Sequence, residues 1–146
     1  MTLFNRLDDA EEIRQLKAKY AVRADAVFRT PGNASAVALG ELFTEDGILD
    51  LGPFGRYEGK PALLNAFENI LPLGTAWSIH LIVNGIIDVN ALTATGNWTF
   101  LIFAQANTTP YGPEAPIYGG YNDQYRKVGG HWKIAESISF FTQPRT

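Results

Sequence analysis

Between residues 8 and 30, apolar side chains recur at spacings of three and four: Ile13, Leu16, Tyr20, Ala24, then Val27 or Phe28. That is the period of a single buried helix face. Asp8 or Asp9 can cap the N-terminus, and Glu11 and Glu12 suit the positive end of the helix dipole. Thr30-Pro31-Gly32-Asn33 ends the helix in a turn. A short second helix is predicted over residues 35–43, with Ser35 as its cap and Val37, Leu39, Leu42 and Phe43 apolar. Glu45-Asp46-Gly47 reads as a turn before a strand at 48–51, and Gly52-Pro53-Phe54-Gly55 as another turn. After a short extended piece at 56–58, Gly59-Lys60-Pro61 opens a third helix with Leu63, Leu64, Phe67 and Ile70 on one face. Leu71-Pro72-Leu73-Gly74 stops it.

From residue 75 the period changes from helical to extended. Strands are predicted at 75–89, with a bend at Gly85, and at 93–105, 117–127 and 131–142. Residues 106–116 read as a loop, Val128-Gly129-Gly130 as a hairpin turn and 143–146 as a tail. Helices first and long strands afterwards make an α+β fold in one domain spanning 1–146. The predicted architecture is a cone-shaped, curved antiparallel sheet, with the N-terminal helices closing a hydrophobic cavity against it.

Composition narrows the function classes. Nearly half of the 146 residues are apolar and under a fifth are charged, the balance of a globular domain. The net charge is −3 and the basic residues are scattered, which argues against nucleic acid as partner. There is no cysteine, hence no disulfide framework or thiolate metal site. No stretch reaches the roughly 18 apolar residues of a membrane helix, and residues 1–9 lack a signal-peptide core. A cytoplasmic location is therefore expected. Nine Phe, six Tyr and three Trp are many for this length, and some can line a pocket for a small hydrophobic molecule.

Chemistry concentrates on His80, in the apolar run Ser78-Ile79-His80-Leu81-Ile82-Val83-Asn84. Strand alternation puts Ser78, His80, Ile82 and Asn84 on one face. His80 is either a packed core residue or the general base of a buried site. Asp25 is set among Ala18, Ala21, Val22 and Phe28, off the centre of the apolar stripe. It is either a solvated helix residue or a buried acid that orients His80. Tyr20, Tyr57 and Tyr121 are candidates to place a phenol in the cavity or to pack the core. Asp123 stands in a strand, where it is either outward and paired with Arg126 or Lys127, or functional. His131 follows the hairpin glycines and is assigned no role. One buried histidine and no HxH or HxxH spacing speak against a metal site, and GxGxxG, GxxxxGK[ST] and GxSxG are absent.

Five segments taken together carry a resemblance. They are Glu12 through Asp25, Leu42-Phe43-Thr44-Glu45-Asp46-Gly47, Tyr57-Glu58-Gly59-Lys60-Pro61-Ala62-Leu63, Ile79-His80-Leu81-Ile82-Val83-Asn84, and Gly120-Tyr121-Asn122-Asp123-Gln124-Tyr125 with Gly130-His131-Trp132-Lys133-Ile134-Ala135. In order and spacing they resemble the SnoaL-like branch of the nuclear transport factor 2-like superfamily. Within it the pattern is similar to scytalone dehydratase, bile-acid 7α-dehydratase and hexachlorocyclohexane dehydrochlorinase. The resemblance implies a catalytic dyad of His80 and Asp25, with Tyr20 as a third catalytic group. Tyr57, Asn84, Tyr121, Trp98 and Phe54 are the expected substrate contacts. It implies a cofactor-independent dehydratase or lyase acting on a polyketide, steroid or aromatic catabolite, and a homodimer or homotrimer. An isomerase, a polyketide cyclase, a non-catalytic ligand-binding protein and the small subunit of a ring-hydroxylating oxygenase share the fold and stay open as alternatives.

Overall fold

The structure is a computed structural model that describes residues 3–108, 110 and 114–142. The expected tail at 143–146 and part of the expected 106–116 loop lie outside the described residues. Helix α1 (Leu3–Arg29) buries Ile13, Leu16, Tyr20, Ala24 and Val27, the face that the period marked. It begins before residue 8, and Asp9 is a tertiary partner rather than a cap. Asp9 is buried, and its Oδ1 accepts from Lys127 Nζ and from Trp132 Nε1, each at 2.9 Å.

Helix α2 (Asn33–Gly40) starts and stops earlier than expected. Ser35 does not cap it. Its hydroxyl donates instead to the Thr30 carbonyl at the end of α1, at 2.6 Å. Strand β1 (Phe43–Asp50) therefore begins at Phe43, and the predicted Glu45-Asp46-Gly47 turn is absorbed into it as an irregularity of pairing. A 3₁₀ turn over Gly52–Phe54 leads to the short strand β2 (Arg56–Glu58). The third helix is not continuous. Helix α3 (Lys60–Asn65) passes through a π-helical turn (Ala66–Ile70) into α4 (Leu71–Gly74). Pro72 supplies no N–H for a carbonyl one turn back, and Leu71 N–H instead reaches five residues back to Ala66.

Strands β3 (Thr75–Asn90), β4 (Thr93–Ala106), β5 (Glu114–Val128) and β6 (His131–Phe141) form an antiparallel meander. Gly129 and Gly130 join β5 to β6 with φ of +57° and +81°, the left-handed pair that a tight hairpin requires. The sheet has six strands in the order β2-β1-β6-β5-β4-β3, two more than the four long ones foreseen. It also contains one parallel pairing, β1 with β6, where an all-antiparallel sheet was expected. Helix α1 packs across the concave face, so a cavity is left between helices and sheet. No helix among the described residues is long and apolar enough to cross a membrane.

Candidate active site

His80 reaches the cavity because β3 alternates. Ser78 is buried and His80 half-buried on the inner face, while Ile79 and Leu81 are exposed on the outer one. Asp25 approaches from α1, and its side chain is only 14 % exposed against 10 % for His80. The Asp25 carboxylate accepts three hydrogen bonds from β3. His80 Nδ1 lies 2.6 Å from Oδ1, Ser78 Oγ donates to Oδ1 at 2.8 Å, and the His80 backbone N–H donates to Oδ2 at 3.2 Å. The solvated-helix reading of Asp25 therefore gives way to that of an anchored acid. Burial pushes this carboxyl up, but the His80 ring, Ser78 and the backbone donor outweigh it and hold the group below its ordinary value. An ionised Asp25 fixes the proton on Nδ1 and leaves Nε2 as the basic atom. Nε2 makes no hydrogen bond among the described residues.

The cavity that His80 lines has a volume of about 290 Å³. Its walls are mostly apolar, with Phe28, Leu71, Phe100, Ile102, Ile117 and Phe141 prominent. The polar side chains on them are Thr75, Ser78, His80, Tyr121 and Ser139. Such a small, mainly apolar space with a few polar groups suits one compact molecule.

The expected site residues divide. Tyr121 and Phe54 line the cavity with His80. Tyr20 stands behind the wall, 3 % exposed, with its ring edge-on to His80 at 6.4 Å and to Tyr121 at 5.8 Å between centroids. Burial, with the charges of Asp123 and Asp25 nearby, pushes the Tyr20 phenol far up; burial, with Tyr20 and Asp123 nearby, does the same to Tyr121. Both stay protonated. Tyr57 is off the cavity wall, its hydroxyl donating to the Phe54 carbonyl at 3.0 Å. Asn84 is exposed and outside the cavity. The pairing of β3 with β4 slips between Val83 and Ile86, and Asn84 takes φ +58°, so the inward set moves from 78, 80 and 82 to 85, 87 and 89. Gly85 has no Cβ because one would lie 2.3 Å from the Trp98 ring. Trp98 is likewise core rather than cavity wall, its Nε1 donating to Tyr125 Oη at 3.0 Å.

That bond begins a buried chain which the sequence reading missed. Tyr125 Oη donates to Asp123 Oδ2 at 2.5 Å, and Lys17 Nζ pairs with the same oxygen at 2.7 Å. Asp123 thus points inward to Lys17, not outward to Arg126 or Lys127. Lys17 Nζ lies over the Tyr121 ring at 3.7 Å and the Tyr20 ring at 4.4 Å. The available signal was position: Lys17 falls between Ile13, Leu16 and Tyr20 on the buried stripe. Ser78 was also readable, two residues before His80 on the same face. Among the described residues no group of three or more His, Cys, Asp or Glu is placed to hold a metal.

Comparison with known proteins bears on the fold and the family. A protein from Novosphingobium aromaticivorans DSM 12444, provisionally named a scytalone dehydratase, superposes with a TM-score of 0.83 at 22 % identity, over 97 % of this chain and 89 % of that one. A type 2 hexachlorocyclohexane dehydrochlorinase, LinA, gives 0.84 at 18 % identity over 97 % and 90 %. A nuclear transport factor 2-like protein with a cystatin-like fold, from Novosphingobium aromaticivorans, gives 0.76 at 22 % identity over 97 % and 87 %. No curated protein matches the chain in sequence. These likenesses establish the fold. Residues 5–138 match the SnoaL-like domain, and the chain belongs to that family.

Proposed function

We propose that this chain is a cofactor-independent dehydratase, or a closely related lyase, acting on a compact hydrophobic ring compound through His80 and Asp25. The observation that carries the reading is the 2.6 Å contact of Asp25 Oδ1 with His80 Nδ1, on the wall of an apolar cavity. A protein that only binds a ligand needs the cavity but not this pair. The names of two structural neighbours, a dehydratase and a dehydrochlorinase, denote eliminations and support the same class.

In the proposed reaction Nε2 of His80 takes the proton next to a carbonyl. The C–H electron pair becomes the new C=C bond as the neighbouring C–O bond breaks. The imidazolium then returns its proton to the departing hydroxide, so water leaves and His80 is regenerated. Asp25 stays ionised and stabilises the imidazolium through Nδ1–H. The protonated Tyr121 phenol lies on the cavity wall to hydrogen-bond the oxygen that gains charge, with Tyr20 packed behind it. Isomerisation or cyclisation begins with the same proton abstraction and is the second reading. The test is turnover of a panel of cyclic β-hydroxy-ketones, followed by the absorbance of the conjugated enone. Loss of that turnover in His80→Gln, with the fold retained by circular dichroism, is the expected result.

The outer face of the sheet points to self-association. Ile79, Leu81, Val83 and Ile86 on β3 are 45–72 % exposed, beside Phe103, Tyr118 and Phe140 on neighbouring strands. We infer a homodimer or homotrimer that covers this face.

A further inference from the structure

Ser78 gives no atom to the proposed reaction, yet its hydroxyl is built into the dyad. It is buried and stands two residues before His80 on the inner face of β3. Its Oγ donates to Asp25 Oδ1 at 2.8 Å and lies 3.4 Å from His80 Nδ1, while Nδ1 is 2.6 Å from the same Oδ1. Two side chains of one strand thus converge on one oxygen of a carboxylate that comes from α1. Among the described residues the other oxygen, Oδ2, accepts only the His80 backbone N–H, at the longer distance of 3.2 Å.

A carboxylate in this setting needs an anchor. The last torsion of an aspartate is broad, so its rotamer does not fix the plane of its oxygens. The bond to Oδ2 is long and holds one end. The His80 ring holds the other end, but it is the group whose charge changes during turnover. Among the described residues Ser78 is the one side chain besides His80 that bonds Asp25, and it is neutral throughout. We propose that Ser78 is a positioning residue: it pins the Asp25 carboxylate in the plane where Oδ1 meets His80 Nδ1, and so keeps the proton on Nδ1 and Nε2 free for the substrate. The role of His80 as base is taken over from the proposal above. An alanine at this position fills the strand but leaves Oδ1 short of a donor on a largely buried carboxylate, which is then free to turn away from Nδ1.

Ser78→Ala and Ser78→Thr, each checked for fold by circular dichroism, test this with two readouts. The first needs no substrate: the ¹H NMR resonance of the His80 Nδ1 proton, which a short bond to a carboxylate moves far downfield. Ser78→Ala is expected to shift it upfield, and Ser78→Thr, which keeps the hydroxyl, to retain it. The second is exchange of the α-hydrogens of 1-tetralone in D₂O at saturating ketone. Ser78→Ala is expected to slow it about tenfold, the lower end for a hydrogen bond to a charged group, with the apparent KM within twofold of the wild type. A resonance unmoved in Ser78→Ala, a rate within twofold of the wild type, or a Ser78→Thr protein whose resonance moves as in Ser78→Ala overturns the proposal. If the wild type itself catalyses no exchange, the reading of His80 as base fails, and the proton resonance alone decides whether Ser78 positions the pair.

Discussion

Replacing Asp25 by Asn keeps the shape of the side chain and changes what it can accept. The carboxylate now receives Ser78 Oγ–H and His80 Nδ1–H on Oδ1, and the His80 backbone N–H on Oδ2. An amide has one acceptor end. If its oxygen keeps the Oδ1 position, its NH₂ faces the His80 backbone N–H, donor against donor at 3.2 Å. If it flips, the NH₂ faces Nδ1, the proton moves to Nε2, and the atom that should act as base is blocked. Either way the imidazolium formed during turnover loses its counter-charge. A charge-assisted hydrogen bond is worth about 1.5–3 kcal/mol, and the misplaced donor adds to the loss. A total of about 3 kcal/mol lowers kcat by roughly 150-fold. The assay is kcat and KM on the hydroxy-ketone panel, with ¹⁵N NMR of the His80 ring to read the tautomer. The tautomer tells which of the two arrangements the amide takes, and a kcat within threefold of the wild type refutes this account of Asp25.

Acid stability follows from the sign of the Asp25 shift. A carboxyl held below its ordinary value adds stability above about pH 4, and that contribution is lost as pH falls further. The melting temperature of the wild type should therefore drop below pH 4, and Asp25→Asn should flatten that limb. Lys17→Met leaves Asp123 buried without its cation and should cost about 3–5 kcal/mol in urea unfolding, the scale for breaking a buried ion pair. A loss below 1 kcal/mol would show that the pair is not structural. Leu81→Glu puts a charge on the outer sheet face without touching the cavity. Light scattering should show a smaller assembly with the fold retained by circular dichroism.

The order of elements was legible because each is written in one period. The α1 stripe at three and four and the alternation of β3 marked the two elements, while the meeting of Asp25 with His80 was implied by the resemblance, since Asp25 lies off the centre of the stripe. Where a single residue breaks the period, the reading fails. The bend expected at Gly85 is present as a slip of pairing, but the reversal of alternation that turns Asn84 outward did not follow from it; Gly85 lies against the Trp98 ring of the next strand. Trp98 and Asp123 were misplaced for a related reason. An indole, a phenol, a carboxylate and an ammonium satisfy one another only once β4, β5 and α1 are assembled, so none of them announces its direction alone. The caps failed likewise: Asp9 and Ser35 have local uses in principle and found tertiary or neighbouring partners instead.

The central claim is that His80 abstracts a proton from carbon inside the cavity. It is tested most directly by hydrogen–deuterium exchange at the α-carbon of 1-tetralone in D₂O, followed by ¹H NMR. No leaving group is involved, so the measurement isolates the base. General-base catalysis of this kind contributes typically about 10²–10⁴-fold. The account predicts exchange accelerated by the wild-type protein and reduced to the protein-free rate by His80→Gln. Exchange in His80→Gln equal to the wild type, or a wild type no faster than buffer, would contradict it.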